Sequence, residues 1–536
     1  MTELDSASPS TAGNRTERTG WSASWLAEQG PLTPPMLGQI AVVLGVLLMP
    51  LVFFRFQRDQ MHFAYLAWAW LNGLAPYADL PSHQFPGQHM LFAGIFKLLG
   101  VSEIAVRLVD WLLYVAAGVA LAGIVSRLTR PLTGFFAAIL FVLNYVCLGT
   151  WNTTNRETFQ IVLLLPILYW LLFGTLRPWV DKLAAFASGV ALMLMLLIKP
   201  TVGLALLPLA WMVFSPGTDA APPKAWRHRW PLLLLGGAAL AALCAGLFFA
   251  QRREVFESLL TYNSQIYAKI PYTGSGRFAP LVDFAYKGLC CVPFIFLIWD
   301  KPQRPILVRL LAIHAGLIAA VLVQGRGFDY QTWPAVPLCL LWTVLFVDRV
   351  VKHTFTVCQA ANERRLRILA SASVLLLAIG IPYGNRRMLT LYWAVIADPT
   401  NVDGPLPPIW DGTIEWMRDH VEPQERVFFF GHDVGVPFLM RIPPVTRSVT
   451  GVLDLRNVAL NTHPLMLRLK DRMMTDLEVA PPDLIFVATY DATWLSRSGL
   501  ESLPAFPAFQ RFLRTRYDRV EPDPAGYAVF RRRRVQ

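Results

Sequence analysis

From residue 36 to about residue 383 the chain is a succession of long apolar runs separated by short polar loops. The runs cover residues 36–54, 104–126, 132–149, 158–174, 183–198, 201–215, 231–250, 281–299, 306–323, 332–347 and 367–383. A helix needs roughly 20 apolar residues to cross a bilayer. Only a segment that satisfies its own backbone hydrogen bonds survives there. The pattern therefore predicts a polytopic α-helical membrane protein with about eleven transmembrane helices. Composition agrees, since 16% of the 536 residues are charged and 54% hydrophobic, whereas about a quarter of a soluble domain is charged.

The loops predict orientation, because Lys and Arg collect on the cytoplasmic side. With the N-terminus inside, the inner loops hold Arg127 and Arg130, then Arg177 and Lys182, then Lys224, Arg227 and Arg229. Lys301 and Arg304 follow, and last come Arg349, Lys352, Arg364, Arg365 and Arg367. Residues 251–280 are a long outer loop of mixed content, with Arg252, Arg253, Lys269 and Arg277. Much of the formal charge of +12 is thereby a topology signal, and no nucleic-acid partner is expected. Residues 1–35, polar and without an apolar stretch of their own, read as a disordered cytoplasmic tail. The six cysteines lie in or beside apolar segments, with no disulfide framework or zinc spacing.

An odd number of spans places the end of the chain outside. Residues 36–397 form the membrane domain, 398–408 a Pro/Gly/Asp linker, and 409–536 a small extracytoplasmic α/β domain. In the latter, residues 412–421 read as a helix, 426–431 and 482–490 as buried strands, and 517–533 as a closing hairpin.

The first outer loop, residues 55–103, is unusual. It is too apolar for an ordinary loop and too polar to span. Residues 61–74 read as an aromatic-rich juxtamembrane helix lying in the headgroup plane, and residues 87–100 as a second short apolar helix. Three prolines break the segment between them. Asp59 stands at the membrane exit, where a carboxylate is costly and usually kept for a purpose.

The same topology brings Asp59, Asp79, Arg156, Glu157, Lys199, Arg326 and Asp329 to one membrane face. A charged cleft beside a greasy groove suits a lipid-phosphate substrate. Each side chain also has an ordinary reading. Asp59 is placed to cap a helix, Asp79 to start a turn, and Glu157 to meet a helix dipole. Lys199 can snorkel to the interface, and Arg326 can touch a lipid headgroup. His83 and His89 with Asp79 match no defined metal site.

The ordered set of motifs resembles the membrane glycosyltransferases of the C-type fold. Specifically, it resembles the bacterial protein-mannosyltransferase-like and aminoarabinose-transferase-like group. The residues that carry the resemblance are Asp59, Gly73-Leu74-Ala75-Pro76-Tyr77-Ala78-Asp79, Pro86-Gly87, Leu98-Leu99-Gly100 and Arg107-Leu108. Glu157 at the head of a span and Gly325-Arg326 with Tyr330 are similar to two later family motifs. Gln60 stands where the family commonly has a second acid, Gln84 where it often has a lysine, and Gln331 where it often has a histidine.

The resemblance implies a sugar donor on polyprenyl phosphate and a glycan, lipid or protein acceptor. Transfer would take place on the outer face of the cytoplasmic membrane, by inverting displacement. Asp59 is then the general base. Lys199 and Arg326 face the phosphate, His83 and Tyr330 make further donor contacts, and Asp79 and Glu157 position hydroxyl groups. A cofactor is not specified, and a metal finds weak support because Gln60 is not an acid. Two rival classes share the charged outer cleft: a polar-lipid transporter or flippase, and a non-catalytic polysaccharide-assembly protein.

Overall fold

The computed structural model describes residues 32–74, 84–173, 177–214, 223–248, 303–324, 329–360, 386–398, 406–431, 434–446, 464–489, 499–524 and 526–533. The expected spans at 281–299 and 367–383 lie outside the described residues. Among the described residues five helices are long and apolar enough to cross a membrane: Glu103–Leu128, Arg156–Phe173, Pro178–Ile198, Arg229–Leu247 and Arg304–Gln324. Pro34–Leu47 and Pro131–Val146 are shorter apolar helices.

In chain order the elements used below are α1 (Pro34–Leu47), α2 (Arg58–Leu71), α3 (Pro86–Leu99), α4 (Glu103–Leu128), α5 (Pro131–Val146) and α6 (Arg156–Phe173). They continue with α7 (Pro178–Ile198), α8 (Gly203–Phe214), α9 (Pro223–Phe248), α10 (Arg304–Gln324), α11 (Val336–Ala360) and α12 (Arg386–Ala397). Proline stands in the first turn of α1, α3, α5 and α7. Its missing N–H costs nothing there, and its φ is already helical.

Glycine sets the closest helix approach. A Cβ on Gly189 of α7 would run into the Leu233 carbonyl of α9, and one on Gly236 of α9 into the Phe186 carbonyl of α7. Lipid tails are as apolar as leucine, so membrane helices associate through such close backbone contact.

The C-terminal portion builds a four-stranded sheet from β1 (Val427–Phe430), β2 (Leu484–Ala488), β3 (Tyr517–Val520) and β4 (Tyr527–Arg532), in the order β1-β2-β4-β3. The first pair is parallel and the other two antiparallel. All residues of β1 and β2 are buried, which explains their unbroken apolar sequences. Phe428, Phe430, Ile485 and Val487 pack on Met473, Leu477 and Phe509 on one side. On the other side Phe429, Phe486 and Val529 join Trp410, Phe438 and the helical core.

That second face fastens the sheet to the α2–α3 pair. Phe438 stacks on Phe96 with ring centroids 6.0 Å apart. Tyr65 Oη donates to the Ile442 carbonyl at 3.0 Å, and Arg441 Nη2 donates to the Val101 carbonyl at 2.7 Å. Arg55 pairs with Asp411 at 2.7 Å. Consequently α2 does not lie open in the headgroup plane as its composition suggested. Its residues Met61, Phe63, Ala64, Tyr65, Ala67 and Ala69 are all buried, between the helical bundle and the sheet.

Substituting Gly189 by Ala is expected to force α7 and α9 apart and cost about 1–3 kcal/mol. Thermal unfolding of the detergent-solubilised protein checks this, and an unchanged midpoint would contradict the packing described.

Candidate active site

The polar end of the helical bundle is assembled from four places: the start of α2, the start of α3, the loop into α6, and the residue after α7. Asp59 lies in the first turn of α2 and is half-buried. Arg58 and His62 of the same helix are buried, as are Gln84, Gln88 and His89 around the start of α3 and Arg156 and Glu157 at the start of α6.

Two clamps hold the segment that carries Asp59 against the loop that leads to Arg156. The first is Gln60. Its Nε2 donates to the carbonyls of Thr150 (3.2 Å), Trp151 (3.1 Å) and Thr153 (2.7 Å), while its Oε1 accepts from the Gln57 N–H at 3.1 Å. The side chain at this position must donate to carbonyl oxygens, and a carboxylate has nothing to donate. These three carbonyl partners give the amide at position 60 a physical purpose that an acid could not serve.

The second clamp is Arg107 of α4, which is fully buried. It donates to the carbonyls of Phe54 and Arg55, each at 3.1 Å, to Thr153 Oγ1 at 2.8 Å, and to Thr154 Oγ1. Its guanidinium also lies over the Phe56 ring, 5.2 Å from the centroid. Thr154 Oγ1 in turn donates to Asp110 Oδ2 at 2.8 Å, and Tyr145 Oη donates to the same oxygen at 2.6 Å. Thr154 has φ +59°, a conformation costly for a β-branched residue and kept only where surroundings enforce it. Here Tyr145 Oη accepts its N–H at 2.8 Å, and Tyr145 stacks on Tyr114 with centroids 3.4 Å apart. The strained turn sits two residues before Arg156.

Burial is the largest influence on the titratable groups at this end, and two guanidiniums act beside it. Burial raises the Asp59 carboxyl above its ordinary range, against the opposing pull of Arg156 and Arg58, and Glu157 adds to the rise. Burial and the same two arginines lower His62 to about 3. His89 is lowered to about 3 by burial, then His62, then Arg156. Both imidazoles are therefore neutral at physiological pH. Lys199 forms an ion pair with Glu157, and Arg156 donates to Gln84 Oε1. Three cations (Arg58, Arg156, Lys199) thus stand with two carboxylates (Asp59, Glu157) among the described residues.

Of the residues singled out from sequence, Asp59 and Glu157 come together around Arg156, and Lys199 joins them through Glu157. Asp79, His83 and Arg326 lie outside the described residues. Tyr330 belongs to a single helical turn, Asp329–Thr332. The chain just beyond that turn is tied to α4 and α5 by Trp333. Its Nε1 donates to Tyr114 Oη at 2.7 Å, and its ring lies 5.6 Å from that of Tyr145.

Of the residues gathered here, Arg156 stands in the cleft expected from sequence without a role of its own and Arg107 only carries the resemblance, while Arg58 and Asp110 are not among the candidates. An Arg and an Asp three apart near the head of an apolar helix are the readable signal for the last, since ionisable groups at membrane depth are seldom idle. A divalent metal does not fit the described residues. Glu157 is engaged by Lys199, Asp59 faces two guanidiniums, and no three His, Cys, Asp or Glu side chains there could hold an ion.

Residues 83–248 match the family model described as dolichyl-phosphate-mannose-protein mannosyltransferase. No curated protein matches the sequence. Among solved structures, the chain is similar to ArnT from Cupriavidus metallidurans bound to undecaprenyl phosphate, at 11% identity and TM-score 0.55, covering 92% of this chain and 97% of that one. The apo state of the same protein gives 12% identity and TM-score 0.58, with 92% and 97% covered. The Archaeoglobus fulgidus oligosaccharyltransferase in its apo form gives 12% and 0.52, with 93% and 75% covered. At such identities the likeness is one of fold. It agrees with the C-type fold that the resemblance of the motifs implies.

Replacing Gln60 by Glu is expected to set a carboxylate against three carbonyl oxygens and cost on the order of 3 kcal/mol. A lower thermal midpoint with reduced activity would register it. Wild-type behaviour would show that the amide is not a clamp.

Proposed function

We propose that this chain is an integral membrane glycosyltransferase. It moves a sugar from a polyprenyl-phosphate donor to an envelope glycan, lipid or protein acceptor by one inverting displacement, on the outer face of the cytoplasmic membrane. The observation that carries the proposal is the placement of Asp59 beside two buried guanidiniums, Arg58 and Arg156. The family model and the fold likeness to ArnT and to the oligosaccharyltransferase support the same class.

The chemistry follows from charge. Asp59 takes the proton of the acceptor hydroxyl as the oxygen attacks the anomeric carbon. Its partial desolvation makes it a stronger base than an ordinary aspartate. The bond from the anomeric carbon to the phosphate oxygen breaks, and negative charge grows on the leaving polyprenyl phosphate. Fixed cations stabilise that charge at little reorganisation cost. Arg156, held on Gln84, and Arg58 are the foremost candidates for this role. Lys199 reaches the same end but already meets Glu157. A cation at position 84 would oppose Arg156, whereas the neutral Gln84 supports the arginine. Asp79, His83, Arg326 and Tyr330 are retained as donor or acceptor contacts.

The acceptor-facing role falls to the C-terminal sheet in this reading, and its docking on α2 and α3 supports that. A cleft of about 330 Å³ opens between Leu74 beyond α2 and Val445, Thr446, Thr475 and Asp476 of the C-terminal portion.

The test is transfer of labelled sugar from polyprenyl-phosphate donors by the purified protein in lipid nanodiscs, read as released polyprenyl phosphate. Asp59→Asn is expected to lose about 10²–10⁴-fold in rate. Transfer at the wild-type rate would remove Asp59 from its role. The rate should rise with pH through the elevated Asp59 pKa, so the acid limb lies above the ordinary carboxylate range. Because Arg156 lowers that pKa, Arg156→Gln is expected to move the limb to higher pH while slowing the reaction. A limb that stays put would separate Arg156 from Asp59.

A further inference from the structure

Buried polar atoms without hydrogen-bond partners are costly and infrequent in folded proteins. Several gather at one end of this bundle. Both side-chain atoms of Gln88, Oε1 and Nε2, lack a partner among the described residues, as do Glu157 Oε2 and Gln331 Oε1. Gln88 is fully buried. It follows Gly87, where a Cβ would strike the backbone of Leu197 and Ile198 just ahead of Lys199. It precedes His89, whose ring feels both His62 and Arg156. Gln84, four residues earlier, accepts from Arg156. Gln331 lies on the turn Asp329–Thr332, which packs against α6. Trp333, two residues on, donates to Tyr114 Oη, which in turn donates to the carbonyl of Thr158, the residue after Glu157.

The chemistry of these atoms names a ligand. Three of the four accept hydrogen bonds, so the partner they want donates O–H groups. The fourth, an amide N–H, donates to a hydroxyl oxygen. An ammonium group would meet the field of Arg58 and Arg156. A carboxylate would meet the acceptor oxygens of Gln88, Glu157 and Gln331. A neutral polyol satisfies all four.

We propose, resting on the transferase reading above, that Gln88 is a donor-sugar binding residue. Its amide accepts from one ring hydroxyl and donates to a neighbouring one, while Glu157 Oε2 accepts from a further hydroxyl. The donor sugar is accordingly a neutral hexose or pentose, not an amino sugar or a uronic acid. A site of unsatisfied polar groups discriminates strongly, because a sugar lacking the matching hydroxyl leaves them buried and unpaired.

The test uses Gln88→Met, which keeps the length of the side chain and removes its polar atoms. The thermal midpoint is expected to hold or rise, since an unpaired buried amide is removed. For a polyprenyl-phosphate-linked neutral hexose, kcat/KM is expected to fall about tenfold or more. Protection by polyprenyl phosphate without sugar should be unchanged. A folded variant with wild-type kcat/KM overturns the inference. Should the variant unfold, the wild-type protein decides. Its rate with an amino-sugar donor is expected at least tenfold below that with the matching hydroxyl sugar, and equal rates overturn the inference. No transfer by the wild-type protein from any such donor would instead refute the transferase reading itself, and this inference with it.

Discussion

The buried contact between Arg107 and the turn at Thr153–Thr154 is the constraint on which the polar end of this protein depends. One guanidinium holds the carbonyls of Phe54 and Arg55 and the hydroxyls of Thr153 and Thr154. The two segments it joins carry Asp59 on one side and Arg156 and Glu157 on the other. A fork of fixed N–H donors suits such a junction better than a lysine, which offers one mobile point charge. Gln60 repeats the same junction with a neutral amide, and Asp110 with Tyr145 keeps Thr154 in its left-handed turn. Rigid support of this kind keeps the spacing between Asp59 and its opposing cations.

Around that junction charge is arranged unevenly. His62 and His89 are neutral, Glu157 is taken up by Lys199, and Asp59 is partly desolvated while facing two arginines. The result is a site that resists protonation of its imidazoles yet raises the basicity of one carboxylate. The C-terminal sheet completes the enclosure. Its inner face shares a core with the helices, Phe438 and Ile442 reach α3 and α2 directly, and Arg441 reaches the loop after α3. That packing turns α2, amphipathic enough to lie on a membrane, into a buried element.

Much of the fold was legible in the chain because its signals are local. Nine of the eleven apolar runs coincide with described helices or parts of them, and the two others lie outside the described residues. The unbroken apolar stretches at Val427–Phe430 and Leu484–Ala488 became buried strands, and the closing hairpin formed across residues 517–532. In the site, Asp59, Glu157 and Lys199 could be nominated from their positions at membrane exits. The ion pair between the last two could not, since nothing in sequence distinguishes a lysine facing a substrate from one facing a glutamate forty-two residues away. Gln60 and Gln84 read as departures from a family pattern. Only their partners, three backbone carbonyls and Arg156, give them a physical purpose.

Periodicity, run length and loop charge by themselves determined that this chain is a helical membrane protein with an α/β portion at its end. Those properties depend on how each segment meets lipid or water, which is a matter of local composition. Tertiary structure alone decided which charges meet. Arg107 and Thr154, Arg156 and Gln84, and Tyr65 and Ile442 are distant in sequence and adjacent in space. Pairings of this kind arise from helix packing, where a side chain's partner is chosen by geometry and by the cost of leaving a buried polar group unsatisfied.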